Sequence, residues 1–179
     1  MQLRKPFFAL RGNTVGKQSL VKGRTAMTYC NIGDYCYIGE NCSLNMVQMG
    51  NYCSIAPYVH IGGSEHPYSA PTTSLRISKE INEDKPTLIG NDVWIGSHVY
   101  VRQGVKIGDG AVIGAQSLVL NDVEPFSIVV GSPAKHLKYR FSKERIESIV
   151  KSRYWEYAPK VAQEKVYSAF NSIYCNENS

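Results

Sequence analysis

IGNDVW IGSHVY VRQGVK IGDGAV IGAQSL VLNDVE, residues 89–124, repeats every six residues. The hexads open on Ile89, Ile95, Val101, Ile107, Ile113 and Val119. Four places later each carries a second small or aliphatic residue: Val93, Val99, Val105, Ala111, Ser117 and Val123. Gly follows the leading aliphatic in four of the six hexads. Self-similarity at this period marks a repeat architecture, and a hexapeptide period marks a parallel β-helix.

Traced towards the N-terminus, the beat keeps step through Ile61 and Ile55, then Leu44, Ile38 and Ile32, and more weakly through Met27, Val21 and Val15. Two hexads are one residue short, between Met27 and Ile32 and between Leu44 and Met49. Three hexads make one triangular coil, so the sequence predicts roughly five coils. Each coil buries its apolar edge only by stacking on its neighbours. The glycines are expected near the corners, where a backbone conformation that a Cβ would disfavour is useful. Cys36, Cys42 and Cys53 fall on the inward position of earlier hexads, where a free thiol behaves as a small buried hydrophobe. Cys36 and Cys53 lie about one coil apart on one face, within conceivable disulfide range, but a reducing compartment favours thiols. No C-x2-C spacing suggests a metal site. Cys175 falls in a polar tail, CNENS, expected to fray.

The beat stops once, over a loop at 63–86 within GGSEHPYSAPTTSLRISKEINEDKP, which is rich in Gly, Pro, Ser and charge. Insertions on a solenoid loop out on one face, often the binding face. The beat ends at Pro125. VVGSPAKHLKYRF follows as a turn with Gly131, Pro133 and three cations. Ser142 then reads as a helix N-cap, with Ile146, Ile149, Val150 and Tyr154 at helical spacing. Pro159 opens a second helix, with Ala162, Val166, Ala169, Phe170 and Ile173 on one side. The expected organisation is a β-helix domain over 1–134 and a two-helix tail over 135–179.

Composition bounds the function. The net charge of +5 on 179 residues is too small and dispersed for a nucleic-acid partner. No stretch approaches the ~18 apolar residues of a membrane span. MQLRKPFFAL lacks the apolar core of a signal peptide, so the protein is expected in the cytoplasm without stable membrane insertion. Of the four histidines, His60 and His66 stand one hexad apart, on neighbouring faces of a coil rather than side by side. His66 opens the insertion and precedes Pro67, which biases it to extended backbone. An imidazole there can take and return a proton near neutral pH.

The run from Ile89 to Lys135 resembles the hexapeptide-repeat acetyltransferases, among them galactoside and maltose acetyltransferases and the xenobiotic group acting on chloramphenicol and streptogramins. The resemblance extends from about Ile32 to Tyr157. It rests on His66-Pro67 shortly after IAPYVHIGG, on GNDVWIGS at Gly90–Ser97, on GSPAK at Gly131–Lys135, and on Tyr154-Trp155-Glu156-Tyr157 as a W-W-x-W-like element. It implies an all-β, left-handed parallel β-helix with an extended loop and C-terminal α-helices. That handedness departs from the usual right-handed crossover. It further implies a homotrimer with acetyl-CoA in the groove between subunits, and no required metal. His66 would be the general base, deprotonating an acceptor that attacks the thioester directly. The backbone N–H at Ser97 would meet the oxyanion, Gly114 and Ala115 would track the pantetheine arm, and Lys135, Lys138 and Arg140 would meet the CoA phosphates. Trp94 would lie beside the groove or fill a corner. The implied acceptor is a hydroxyl of a small molecule, sugar or polysaccharide precursor. The alternatives are the amine of a nucleotide-linked amino sugar, or an antibiotic. Two features depart from the family: Leu120-Asn121-Asp122-Val123 lacks the Thr-Lys of the sugar enzymes, and Ser64-Glu65 precedes the His-Pro pair. The acceptor contacts are expected between Tyr35 and Asn45, where a shortened hexad prevents their assignment.

Overall fold

A computed structural model describes residues 12–172. Three parallel sheets run along the molecule, one per face of a triangular prism. The first holds β1 (Thr14–Val15), β4 (Asn31–Ile32), β7 (Val47–Met49), β10 (Thr87–Ile89) and β13 (Lys106–Ile107). The second holds β2 (Leu20–Val21), β5 (Tyr37–Ile38), β8 (Ser54–Ile55), β11 (Trp94–Ile95), β14 (Val112–Ile113) and β16 (Ser127–Val130), with β17 (Lys135–Tyr139) added antiparallel at its edge. The third holds β3 (Ala26–Thr28), β6 (Ser43–Asn45), β9 (His60–Ile61), β12 (Tyr100–Val101) and β15 (Leu118–Val119). Five complete coils and a partial sixth result, and the fold is the parallel β-helix that the period predicts, with the left hand that the resemblance implies.

The register explains the beat. Ile38, Ile55, Ile95, Ile113 and Val129 pair in succession across the second sheet and stack into one inward column. All five are buried. Burying such a side chain fully contributes about 1.5–3 kcal/mol. The inward fourth-after positions complete the core. Cys36, Cys42 and Cys53 lie there as free thiols, joined by Cys30 from within the first shortened hexad. Cys175 and Ile173 lie outside the described residues.

The glycines require a correction. Gly33, Gly39, Gly96, Gly108 and Gly114 have ordinary φ; the positive φ falls two residues later, on Tyr35, Asn41, His98, Gly110 and Gln116. What excludes a side chain is the next coil. A Cβ on Gly96 would stand 2.6 Å from Ala115 N, and one on Gly39 would stand 2.5 Å from Pro57 N.

The basic turn is in part a strand. β17 folds back on β16, so Lys135 pairs with Val130 and Lys138 with Ile128. Helix α1 (Lys143–Ser152) starts at Ser142, whose hydroxyl accepts from Arg145 N, and ends at Arg153 in a left-handed conformation. Tyr154 consequently leaves the α-helix for a 3-10 turn over Tyr154–Glu156. Helix α2 (Pro159–Asn171) follows. Ile149, Tyr154, Trp155 and Ala162 pack with Phe126 in a second apolar cluster. Asn51 Nδ2 donates to Trp155 O (2.9 Å) and Tyr52 Oη to Tyr157 O (2.6 Å), seating this cap on the first corner of the prism.

Candidate active site

The insertion leaves the prism at its third corner, between β9 and β10. Gly62 (φ 79°) and Gly63 (φ 108°) turn the chain out of the coil through left-handed conformations that glycine adopts without cost from a Cβ. The loop then carries His66 outward with its side chain exposed, while Pro67 is buried and anchors it. His66 Nδ1 lies 2.6 Å from Thr73 O. A backbone carbonyl only accepts, so Nδ1 carries the proton and Nε2 is left with a free lone pair. That is the tautomer a general base requires.

The other three histidines are engaged. His60 stacks on Tyr100 and His98 on Tyr58, each with ring centroids 4.9 Å apart. His136 Nδ1 lies 2.5 Å from Ser127 Oγ. Among the described residues no group of three His, Cys, Asp or Glu could hold a metal ion.

The second corner, between the second and third sheets, has a feature the first lacks. From the second coil onward the residue after the first-corner glycine is Asp34, Asn51, Asn91 or Asp109. These side chains form a ladder: Asp34 N donates to Asn51 Oδ1 (2.7 Å), Asn51 N to Asn91 Oδ1 (2.8 Å) and Asn91 N to Asp109 Oδ1 (2.6 Å). The backbone donors of that corner are thereby consumed. At the second corner the same place in successive coils is taken by Pro57, Ser97 and Ala115, which have no such side chain. Among the described residues the N–H groups of Ser97 and Ala115 donate to nothing within the chain. Two free donors therefore stand one above the other, about 4.8 Å apart as strand spacing requires.

Ser97 and Ala115 thus form one column, with Gly114 beside Ala115 but its own N–H spent on Val129 O (2.9 Å). The β16–β17 hairpin caps it: Leu118 N donates to Gly131 O (2.9 Å), Ala134 N to Leu118 O (2.7 Å), and a Cβ on Gly114 would meet Val130 Cγ1 at 2.7 Å. Lys135 and Lys138 continue from it with exposed side chains. Arg140 does not join them, which corrects the expected trio of cations. It sits on the first corner, where its Nη1 donates to Asp92 Oδ2 (3.1 Å) and Gly110 O (2.7 Å). The guanidinium also lies over the rings of Phe126 and Phe141. Burial and then the Asp92 carboxylate hold the neighbouring Tyr154 phenol above its usual pKa, so this pocket is a neutral-phenol, paired-ion environment. Trp94 stands on the outer face of β11, 57% exposed, so it fills no corner. Beside the loop a cleft of about 480 Å³ is lined by Glu65, Tyr68, Asn82, Glu83, Lys85 and Arg102.

The match to known proteins falls on this part of the chain. The family described as bacterial transferase hexapeptide (six repeats) matches residues 86–121. A chloramphenicol acetyltransferase of Klebsiella aerogenes is 38% identical over 82% of this chain and 66% of its own length. The galactoside O-acetyltransferase of Escherichia coli strain K12 is 34% identical over 76% of this chain and 72% of its own. The chain belongs to the hexapeptide-repeat transferases. A solved galactoside acetyltransferase in complex with coenzyme A superposes with a TM-score of 0.59 at 31% identity, covering 74% of this chain and 70% of that one. The chain spans 59–66% of the length of the first three chloramphenicol acetyltransferases it matches. Within the described residues of this member no helix is long and apolar enough to cross a membrane.

Proposed function

We propose that this hexapeptide-repeat transferase moves the acetyl group of acetyl-CoA to a hydroxyl of a sugar or other small acceptor, with His66 as general base. The observation that carries this reading is the His66 imidazole itself: exposed on the loop, its Nδ1 proton committed to Thr73 O, its Nε2 free. Nε2 takes the hydroxyl proton as the acceptor oxygen attacks the thioester carbon. Negative charge gathers on the thioester oxygen, where a fixed N–H donor stabilises it; the Ser97 N–H is free for that role. Collapse expels the CoA thiolate, and the imidazolium returns the proton to it. Ala115 N–H receives the pantetheine amide, and Lys135 and Lys138 meet the phosphates. The chain acts as a homotrimer, a closed symmetry in which a neighbour walls the groove. The cleft beside the loop offers carboxylates, amides, cations and the open Tyr68 ring, groups that suit a hydroxyl-rich acceptor. The identity to chloramphenicol acetyltransferases favours a second reading, a hydroxyl on an antibiotic.

The test is a panel of acetyl-CoA with galactosides, maltose, amino sugars and chloramphenicol, followed by free CoA released and caught by a thiol reagent. Acceptor-dependent release with a hydroxyl compound, from a species of three chain masses by light scattering, is the expected result. Release only with amines would overturn O-acetylation, and no release with any acceptor would overturn the transferase reading.

Lys135→Ala combined with Lys138→Ala should raise KM for acetyl-CoA several-fold to tenfold at low salt and barely change KM for the acceptor. A hydrogen bond to a charged group contributes about 1.5–3 kcal/mol when well formed, and exposure and salt reduce this. An unchanged KM at low salt would leave CoA held by backbone contacts alone.

A further inference from the structure

The neck of the catalytic loop is closed by side chains. Among the described residues no backbone hydrogen bond joins the outgoing arm, residues 63–66, to the returning arm, residues 81–86. Asn82 crosses between them. Its Nδ2 donates to His66 O at 3.1 Å and to Glu65 O at 3.3 Å. A carboxamide nitrogen has two N–H groups, and both carbonyls can only accept, so the amide orientation follows from the partners. A second tie, Ser64 Oγ to Asp84 Oδ2 at 2.9 Å, lies just below it. The His66 ring is then fixed at one nitrogen by Thr73 O and at its own backbone by Asn82.

We propose that Asn82 is a positioning residue for the reaction: it holds the His66 backbone so that Nε2 keeps its aim at the acceptor hydroxyl. This rests on the reading of His66 as the base. The physical need is plain. The loop contributes no strand, and among the described residues only the side-chain bonds of Asn82 and of Ser64 with Asp84 tie its two arms to each other. Misplacing a reacting group by about 1 Å can cost about 10²-fold in rate. Among the described residues Asn82 makes no hydrogen bond to the second corner, so cofactor binding proposed there should not depend on it.

Asn82→Ala is expected to lower kcat about 10–100-fold and leave KM for acetyl-CoA unchanged. The near-isosteric Asn82→Asp lacks the donors and should lose as much, whereas Asn82→Gln keeps them on a longer stem and should recover part of the rate. Both departures leave the coils untouched, so the melting temperature should hold. In a His66→Ala background Asn82→Ala should add nothing. A readout independent of turnover is the ¹⁵N NMR of labelled histidine: the His66 pair of nitrogens should move from the Nδ1–H pattern towards tautomer averaging in Asn82→Ala. Wild-type kcat in Asn82→Ala and Asn82→Asp, with His66→Ala inactive, would overturn the role of Asn82 alone. Full activity in His66→Ala would overturn the base assignment instead.

Discussion

His66→Ala is expected to cut kcat by about 10²–10⁴-fold, the usual contribution of a positioned general base. KM for acetyl-CoA should stay within about twofold, because the donors of the second corner belong to the coils and not to the loop. The fold should be unaffected. The imidazole is exposed and makes one hydrogen bond, to Thr73 O, so its removal leaves no buried cavity and no buried unpaired group. CoA release under saturating acceptor, with the melting temperature and the light-scattering mass measured on the same sample, separates these effects. His60→Ala and His98→Ala are the controls. Each loses a ring stack on the prism, with Tyr100 or Tyr58, and should cost far less turnover than His66→Ala. A His66→Ala enzyme with undiminished kcat would end the assignment.

Much of the fold was legible because coil stacking imposes its period directly on the sequence. An aliphatic at every sixth residue is what a column such as Ile38, Ile55, Ile95 and Ile113 needs, and no local propensity competes with it. The glycines were legible as necessary but not for the right reason. Their constraint is the coil above, a contact between residues 16 or more apart, which a local conformational rule does not reveal. β17 was not legible as a strand. Lys135, His136, Leu137, Lys138 and Tyr139 are all exposed, so the alternation that betrays a half-buried strand is missing. The misassignment of Arg140 has the same origin. Its partner Asp92 is 48 residues away, brought near only by winding two coils and folding back through the β16–β17 hairpin. One signal was present and unread. Asp34, Asn51, Asn91 and Asp109 follow a glycine at one corner, while Pro57, Ser97 and Ala115 hold the matching place at the next. The hexads carry a longer rhythm of three, and its second beat marks where backbone donors go unspent.

That contrast gives the sharper experiment, Ser97→Pro. Proline removes one backbone N–H and fixes φ, and in most positions the two effects cannot be separated from loss of structure. Here they can. Ser54 and Ile55 pair with Trp94 and Ile95, which puts Pro57 one coil below Ser97 in the same register, so the fold already accepts proline at that place. Among the described residues the Ser97 N–H donates to nothing, so no such bond is lost. Ser97 O, which accepts from Gln116 N at 2.9 Å, remains. The melting temperature of Ser97→Pro should therefore stay near that of the parent. If this N–H receives the developing oxyanion, kcat should fall about 10²–10³-fold, the effect of removing one such donor. Ser97→Ala, which keeps the N–H and loses only the hydroxyl, should retain most of the rate. A pyrrolidine ring also occupies space in the groove, which raises KM for acetyl-CoA; a backbone-donor role requires that kcat fall by more than KM rises. Ala115→Pro, one coil above, should show the reverse balance if its N–H receives the pantetheine arm rather than the reacting carbonyl, as proposed. Near-parental kcat in Ser97→Pro would remove the second corner from the chemistry and leave it as a cofactor rail only.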